Sequence, residues 1–173
     1  EAMRQVAVDP AAAFANCAEA QLLAPSYYEA WRVEGYVRSI AQDHAGVRTA
    51  YERALELAPD SPILHFHFGT FMLNEAGEPR RGLELLQLGA RLDDQSPELG
   101  GQIAWAHYLL GDMYGAAVSS RHVLSLKSAT QRDIRGATVL GLRAGIRGVQ
   151  DLVRSTAYDD AAELLESTVE LIE

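Results

Sequence analysis

Leu23, Leu57, Leu92 and Leu126 recur at spacings of 34, 35 and 34 residues. Their neighbours keep step: Ala20, Ala54, Gly89 and Val123 stand three residues earlier, and Pro25, Pro59, Asp94 and Ser128 two residues later. A fixed period of this length means that one supersecondary unit is repeated, and that no unit buries its apolar faces without its neighbours. Each period reads as two helices. A helical pattern runs from Tyr28 to Ile40 and breaks at Gln42-Asp43. A second runs from Ala45 to Leu57 and closes at Pro59. Ser61-Pro62 opens the next unit with a cap and a first-turn proline. Gly77-Glu78-Pro79 and Gly111-Asp112 mark the later mid-unit turns. Two-residue alternation occurs only at His65-Phe66-His67-Phe68, inside a helix-length segment, so helix is expected there as well.

Trp31, Gly35, Tyr51, Ala54 and Pro59 fit the pattern of a helix–turn–helix repeat of this length, and Ala50 to Pro62 reads as its second half and linker. On these residues the chain resembles the tetratricopeptide repeat family. The first unit departs from the pattern at Glu34, Arg38 and Val47. The second keeps Gly69 and Leu86 but has Gly89 and Asp94 in the later Ala and Pro columns. The third keeps Ala104, Gly111 and Ala116. The resemblance covers roughly residues 10–128, and more weakly the rest of the chain to its end. It implies an all-α, right-handed superhelical solenoid of antiparallel helix pairs, with small residues where paired helices cross.

The expected division is a half repeat at 10–25, complete repeats at 26–60, 61–95 and 96–128, and an extended helical hairpin at 129–173. The first helix of the truncated unit would lie upstream, ending within residues 1–8. From Leu126 to Leu171 is 45 residues, eleven more than one period. Eleven residues are about three helical turns, which lengthen a helix without rotating its faces. A long helix near 130–155, a turn at Thr156-Ala157 and a helix near 158–172 are therefore expected. The chain begins at Glu1 and reads as a piece of a longer polypeptide.

Composition narrows the class. The net charge is −9, with 24 acidic and 15 basic residues, which argues against general nucleic-acid binding. No apolar run is long enough to span a membrane. Cys17 is the single cysteine, so an internal disulfide and a multi-cysteine zinc site are excluded, and a reducing, cytoplasmic setting fits. Lys127 is the single lysine, and this arginine bias points to a GC-rich, bacterial genome. The charge is also uneven. Residues 121–156 carry 7 basic and 2 acidic side chains, and residues 157–173 carry 6 acidic and none basic. On a helix Arg132, Arg135, Arg143, Arg147 and Arg154 fall within about 120° of one another. Asp159, Glu163, Glu166, Glu170 and Glu173 form an acidic stripe on the last helix. The two stripes either pair with each other or are solvated, or the basic one takes an anion, RNA or an acidic partner.

No catalytic constellation emerges. His65 and His67 are two residues apart and fall on opposite helix faces. His44, His107 and His122 have no ligand partner at i+4, so no metal is expected. The nucleotide-loop, zinc-protease and nucleophile-elbow motifs are missing. Cys17 lies among alanines and reads as a buried structural thiol. Gly136, Gly141, Gly145 and Gly148 lie inside a helix, where close packing or bending is their expected role. No enzyme activity and no cofactor are expected.

The resemblance implies that the first helix of each unit lines a concave groove for a peptide or protein partner. Its groove columns fall on Arg32, Tyr36 and Ser39, then Phe66, Thr70 and Leu73 with His67 beside them, then Gln102, Trp105 and Tyr108. The family's clamp for C-terminal carboxylates uses Lys or Arg with Asn. Arg32 is present, but Tyr36 and Thr70 stand at or near the Asn columns, so an aromatic groove is expected instead. Trp, Tyr and Arg are the types that most often carry interface energy. The expected function is a non-catalytic protein-interaction module, the recognition or sensor region of a larger bacterial regulatory or signalling protein. The alternatives are a structural or oligomerisation scaffold, or nucleic-acid or anion binding by the arginine stripe. A scaffold would self-associate through open ends at Phe14, Leu22, Leu23, Leu164, Leu165, Val169 and Ile172.

Overall fold

The computed structural model describes residues 10–154 and 158–169. Among these the chain forms nine α-helices and no strand. They are α1 (Pro10–Leu23), α2 (Tyr28–Ile40), α3 (His44–Leu57), α4 (Pro62–Asn74), α5 (Pro79–Leu92), α6 (Pro97–Leu110), α7 (Met113–Ser125), α8 (Gln131–Arg154) and α9 (Tyr158–Val169). The turn expected at Thr156-Ala157, the upstream helix within residues 1–8, and Glu170, Ile172 and Glu173 lie outside the described residues.

Local chemistry sets the boundaries. Proline sits in the first turn of α4, α5 and α6, where its missing N–H leaves no helical bond unmade. Asp43 and Asp112 accept from the backbone N–H groups of Gly46 at 3.0 Å and Gly115 at 2.8 Å. Thr130 and Asp133 cap α8 reciprocally: each backbone N–H donates to the other side chain, at 2.8 and 3.3 Å. Where α2, α4 and α6 end, Gln42, Gly77 and Gly111 take left-handed φ values of 59°, 69° and 82°. Those positions are 35 and 34 residues apart, so one backbone turn is made three times.

Helices pack as neighbouring pairs because small residues let the backbones approach. A Cβ at Gly69 would lie 2.7 Å from Leu86 Cγ and 3.1 Å from the Gly82 carbonyl oxygen. One at Gly148 would lie 2.9 Å from Met113 Cβ, and one at Gly145 would collide with Thr168. The apolar side chains between the pairs form successive clusters. Val47, Tyr51, Phe68, Phe71, Met72 and Leu85 join α3, α4 and α5. Leu73, Leu86, Leu99 and Ala106 join α4, α5 and α6. Met113, Ala116 and Ala144 join α7 and α8. Core formation by stacking is what a helical-repeat solenoid requires.

Backbones of α2 and α4, of α4 and α6, and of α6 and α8 approach one another, whereas among the described residues α3 and α5, and α5 and α7, do not. The even-numbered helices thus form an inner layer and α3, α5 and α7 an outer one. At α8 the inner layer changes length. It has 24 residues, about 36 Å, against 14 in α6, about 21 Å. Of the apolar residues expected at the open ends, Leu22 and Leu23 are 82% and 77% exposed. Phe14 is half-buried beneath the Arg38 guanidinium. Leu164 departs from that expectation: it is buried against Gly148, where α9 closes over α8.

Candidate functional site

The inner layer presents one continuous row of side chains. On α2, Arg32 pairs with Glu29 at 2.7 Å and reaches across to α4, its Nη1 lying 3.3 Å from His67 Nε2. This contact requires a neutral imidazole with Nε2 as acceptor. Burial pushes the His67 imidazole below its ordinary range, the Arg32 charge adds to that shift, and Glu29 opposes it. One turn on, Tyr36 is 52% exposed. Ser39 donates to the Glu75 carboxylate at the end of α4, with oxygens at 2.7 and 2.9 Å. On α6, the Trp105 indole N–H donates to Asn74 Oδ1 at 3.0 Å, and its ring stacks on Tyr108 at 5.7 Å and 13°. The row ends on α8, where the Arg147 guanidinium lies 5.7 Å from the Tyr108 ring centre.

The structure brings together nine of the ten groove residues expected from the sequence. Arg32, Tyr36, Ser39, Phe66, His67, Thr70, Gln102, Trp105 and Tyr108 are exposed or half-buried on α2, α4 and α6. Leu73 is the correction. It is 4% exposed and packs with Leu86, Leu99 and Ala106. It shares a helical stripe with Phe66, but the bond from Trp105 to Asn74 holds α6 across that end of α4, and Gly82 of α5 comes against the Leu73 backbone.

Two adjoining clefts open at the other end of the same helices. One of about 560 Å³ lies among α2, α4 and α6, lined by Tyr28, Ile63, Phe66, His67 and Glu98 among others. The second, about 690 Å³, lies among α4, α6 and α8, with Phe66, Glu98, Gly101, Gln102, Arg132, Asp133, Gly136 and Leu140 in its wall. Phe66 and Glu98 belong to both, so the Phe66 ring divides one longer depression. Thr70 Oγ1 and Gln102 Oε1 are shielded from solvent and have no protein hydrogen-bond partner. A third cleft, also about 560 Å³, lies between Tyr108 and the arginines of α8.

The sequence reading missed Tyr28, Ile63, Glu98 and Gly101. It also placed the α8 residues in a stripe of their own and not in the groove wall. The available signal was the period itself. Extending the groove columns by one more unit from Gln102, Trp105 and Tyr108 falls near Gly136, Leu140 and Arg143.

Among the described residues no cluster of three or more His, Cys, Asp or Glu side chains could hold a metal ion. No helix there is long and apolar enough to cross a membrane. The Cys17 thiol is buried, and burial followed by the Glu34 charge raises its pKa, the reverse of an activated nucleophile.

No protein-family model and no curated protein matches the chain. Solved structures do match it in fold. PilW, a widely conserved type IV pilus biogenesis factor, superposes with a TM-score of 0.67 at 14% identity, over 94% of this chain and 83% of that one. MamA from Desulfovibrio magneticus RS-1 superposes with a TM-score of 0.65 at 14% identity, over 94% and 85%. YrrB, described as a TPR protein with an unusual peptide-binding site, gives 0.63 at 18% identity, over 94% and 77%. The fold is that of tetratricopeptide-repeat proteins, an all-α helical-repeat solenoid.

Proposed function

We propose that this chain is a non-catalytic interaction module that holds an extended peptide segment of a protein partner along its inner layer. The three complete units at 26–60, 61–95 and 96–128 would supply the groove, the half repeat at 10–25 would lead into it, and the hairpin at 129–173 would close its far end. The observation that carries this reading is the continuity of the inner face. Exposed or half-buried Tyr36, Phe66, Trp105 and Tyr108 follow one another across α2, α4 and α6, and Phe66 leads into the adjoining clefts at the other end of those helices. Aromatic rings give large contact area at small entropic cost. The shared fold with a TPR protein described as having a peptide-binding site supports the same reading. A larger bacterial regulatory or signalling protein is the setting we propose for the module.

Site-specific photocrosslinking in lysate of the native host tests it without perturbing the fold. A photoreactive phenylalanine analogue at Tyr36 and at Tyr108 should each give an adduct with the same partner. The analogue at Tyr114, exposed on outer helix α7, should give none. Adducts from Tyr114 alone would overturn the reading.

A second reading rests on the exposure of Leu22 and Leu23 on α1. Adjacent leucines this open would seat a further chain segment or a second copy, making the module a scaffold joined through its ends. Light scattering over a dilution series checks this. Mass rising with concentration, and abolished by Leu22→Ser/Leu23→Ser, would favour it, and a constant monomer would remove self-association.

A further inference from the structure

The inner face changes character at α8. In the first half its charges are already engaged: Arg32 with Glu29 and His67, and Glu75 with Ser39. On α8, Arg143 and Arg147 border the third cleft beside Tyr108 and Ile146, and among the described residues neither has a carboxylate within ion-pair distance. Asp151, at the rim, is bound by Arg154 at 3.2 Å. Among the described residues, Asp159, Asp160, Glu163 and Glu166 of α9 do not serve them. α9 packs on the opposite side of α8, where Thr168 meets Gly145 and Leu164 meets Gly148. At 100° per residue those glycines lie roughly opposite the arginine stripe. Two arginines one helical turn apart repel each other, so the arrangement costs stability by itself. Beside them the cleft is lined by the Tyr108 ring, itself stacked on Trp105, and by the 57% exposed Ile146.

We infer that the cleft between α6 and α8 takes an acidic stretch of peptide, with Asp or Glu carboxylates on the Arg143 and Arg147 guanidiniums and an apolar side chain against Tyr108 and Ile146. The inference rests on the groove reading above and names the chemistry of its partner. Charge complementarity favours a peptide over a nucleic acid. Glu98 and Asp151 stand in the clefts at either end of the basic stretch. A phosphate backbone would meet repulsion on both sides, while a short run of carboxylates fits between them.

The test is selection of short random peptides displayed on phage against the immobilised full chain, repeated on Arg143→Gln/Arg147→Gln. Peptides held by the wild type should be enriched in Asp and Glu over the starting library. The enrichment should vanish on the double variant, and the best acidic peptide should bind it about tenfold more weakly or worse, as expected for charge-assisted contacts. Arg143→Lys/Arg147→Lys should retain most of the affinity, and unchanged melting would show that both variants fold. Captured peptides with no acidic excess, or acidic peptides indifferent to the double substitution, would overturn the inference and leave the groove reading standing. Capture of no peptide at all would remove both. Oligouridine RNA bound more tightly than any selected peptide, and released by the same substitution, would overturn it in favour of a nucleic-acid site.

Discussion

The inner layer has two halves that treat charge differently. From α2 to the end of α4, each cation on or beside the groove meets an anion or an acceptor within the chain. Arg32 is held by Glu29 and His67, and Arg38 by Glu34 at 2.6 Å and also by Asp43. From α6 to α8 the rings are linked to one another, but Arg143 and Arg147 are left facing the cleft. Internal ion pairs fix side chains and dull their pull on a ligand, whereas unpaired arginines over an aromatic floor keep it. On the proposed reading the first half would act as a preorganised wall and the second as the part that selects.

Trp105 stands at the seam, so its removal should have the largest effect. It joins Asn74 on α4 to Tyr108 on α6 and packs on the Leu73–Leu86–Leu99 cluster. Trp105→Ala should cost about 2–4 kcal/mol, toward the low end for a large buried ring because the residue is half-buried. Denaturant unfolding measures this. A loss below about 0.5 kcal/mol, the ordinary range for a surface substitution, would mean the halves do not communicate through this residue.

Two glycines, one in each half, should respond with opposite signs. Gly69→Ala places a methyl group against Leu86 and the Gly82 carbonyl and should destabilise by about 1–3 kcal/mol. Gly136→Ala, in the wall of the second cleft, meets nothing within 4 Å and should stabilise α8 by up to about 1 kcal/mol. If both substitutions destabilised, Gly136 would be doing more than leaving the cleft wide.

Near neutrality the pH response should come from the first half. The folded chain resists protonation of His67, because burial and Arg32 both disfavour the imidazolium. The unfolded chain takes the proton near the ordinary histidine value of about 6.5. The stability this gives is complete above that value and falls as pH drops below it, because the unfolded state then binds more protons. His67→Gln should flatten the slope just below about pH 6.5, above the carboxylate range. Below that range, stability supplied by Asp43 and Asp133 is lost as pH falls through their lowered folded-state pKa values. The Gly46 backbone N–H and Arg38 hold Asp43 down, and Thr130 holds Asp133. Thermal melts across pH, for wild type and variant together, separate the two windows.

The helices and turns were legible because a period near 34 residues constrains many positions at once. Gln42 illustrates this: nothing about glutamine signals a left-handed turn, yet it occupies the column of Gly77 and Gly111 and adopts their φ. The inner-layer positions of the expected columns were readable for the same reason, and the reading failed where periodicity carries no facing information. Helix α4 is apolar on nearly every side (Phe66, Phe68, Phe71, Met72, Leu73), so a stripe drawn along it cannot tell ring-in-groove from ring-in-core. The covering of Leu73 depends on how α6 lies across α4, a long-range fact. The same holds for α8. Its arginine stripe was visible in the sequence, but whether it faced α9 or the groove depended on which side carried Gly145 and Gly148 into contact.

The smallest expected effect tests the contrast most directly. Arg38 holds Glu34 and Asp43 and lies 5.4 Å from the Phe14 ring centre, tying α1, α2 and the turn before α3 together. Arg38→Gln should cost up to about 1 kcal/mol, the upper range for partly exposed pairs, and the loss should shrink in high salt. Arg143→Gln removes a cation that holds nothing among the described residues and repels Arg147 one turn away, so stability should stay unchanged or rise by a few tenths of a kcal/mol. Urea unfolding of the two variants at low and high salt reads both values. Equal losses would mean that Arg143 is held as firmly as Arg38, and the division of the inner face into a braced wall and a selective end would fail. A loss confined to Arg38→Gln leaves Arg143 free to meet a carboxylate from outside the chain.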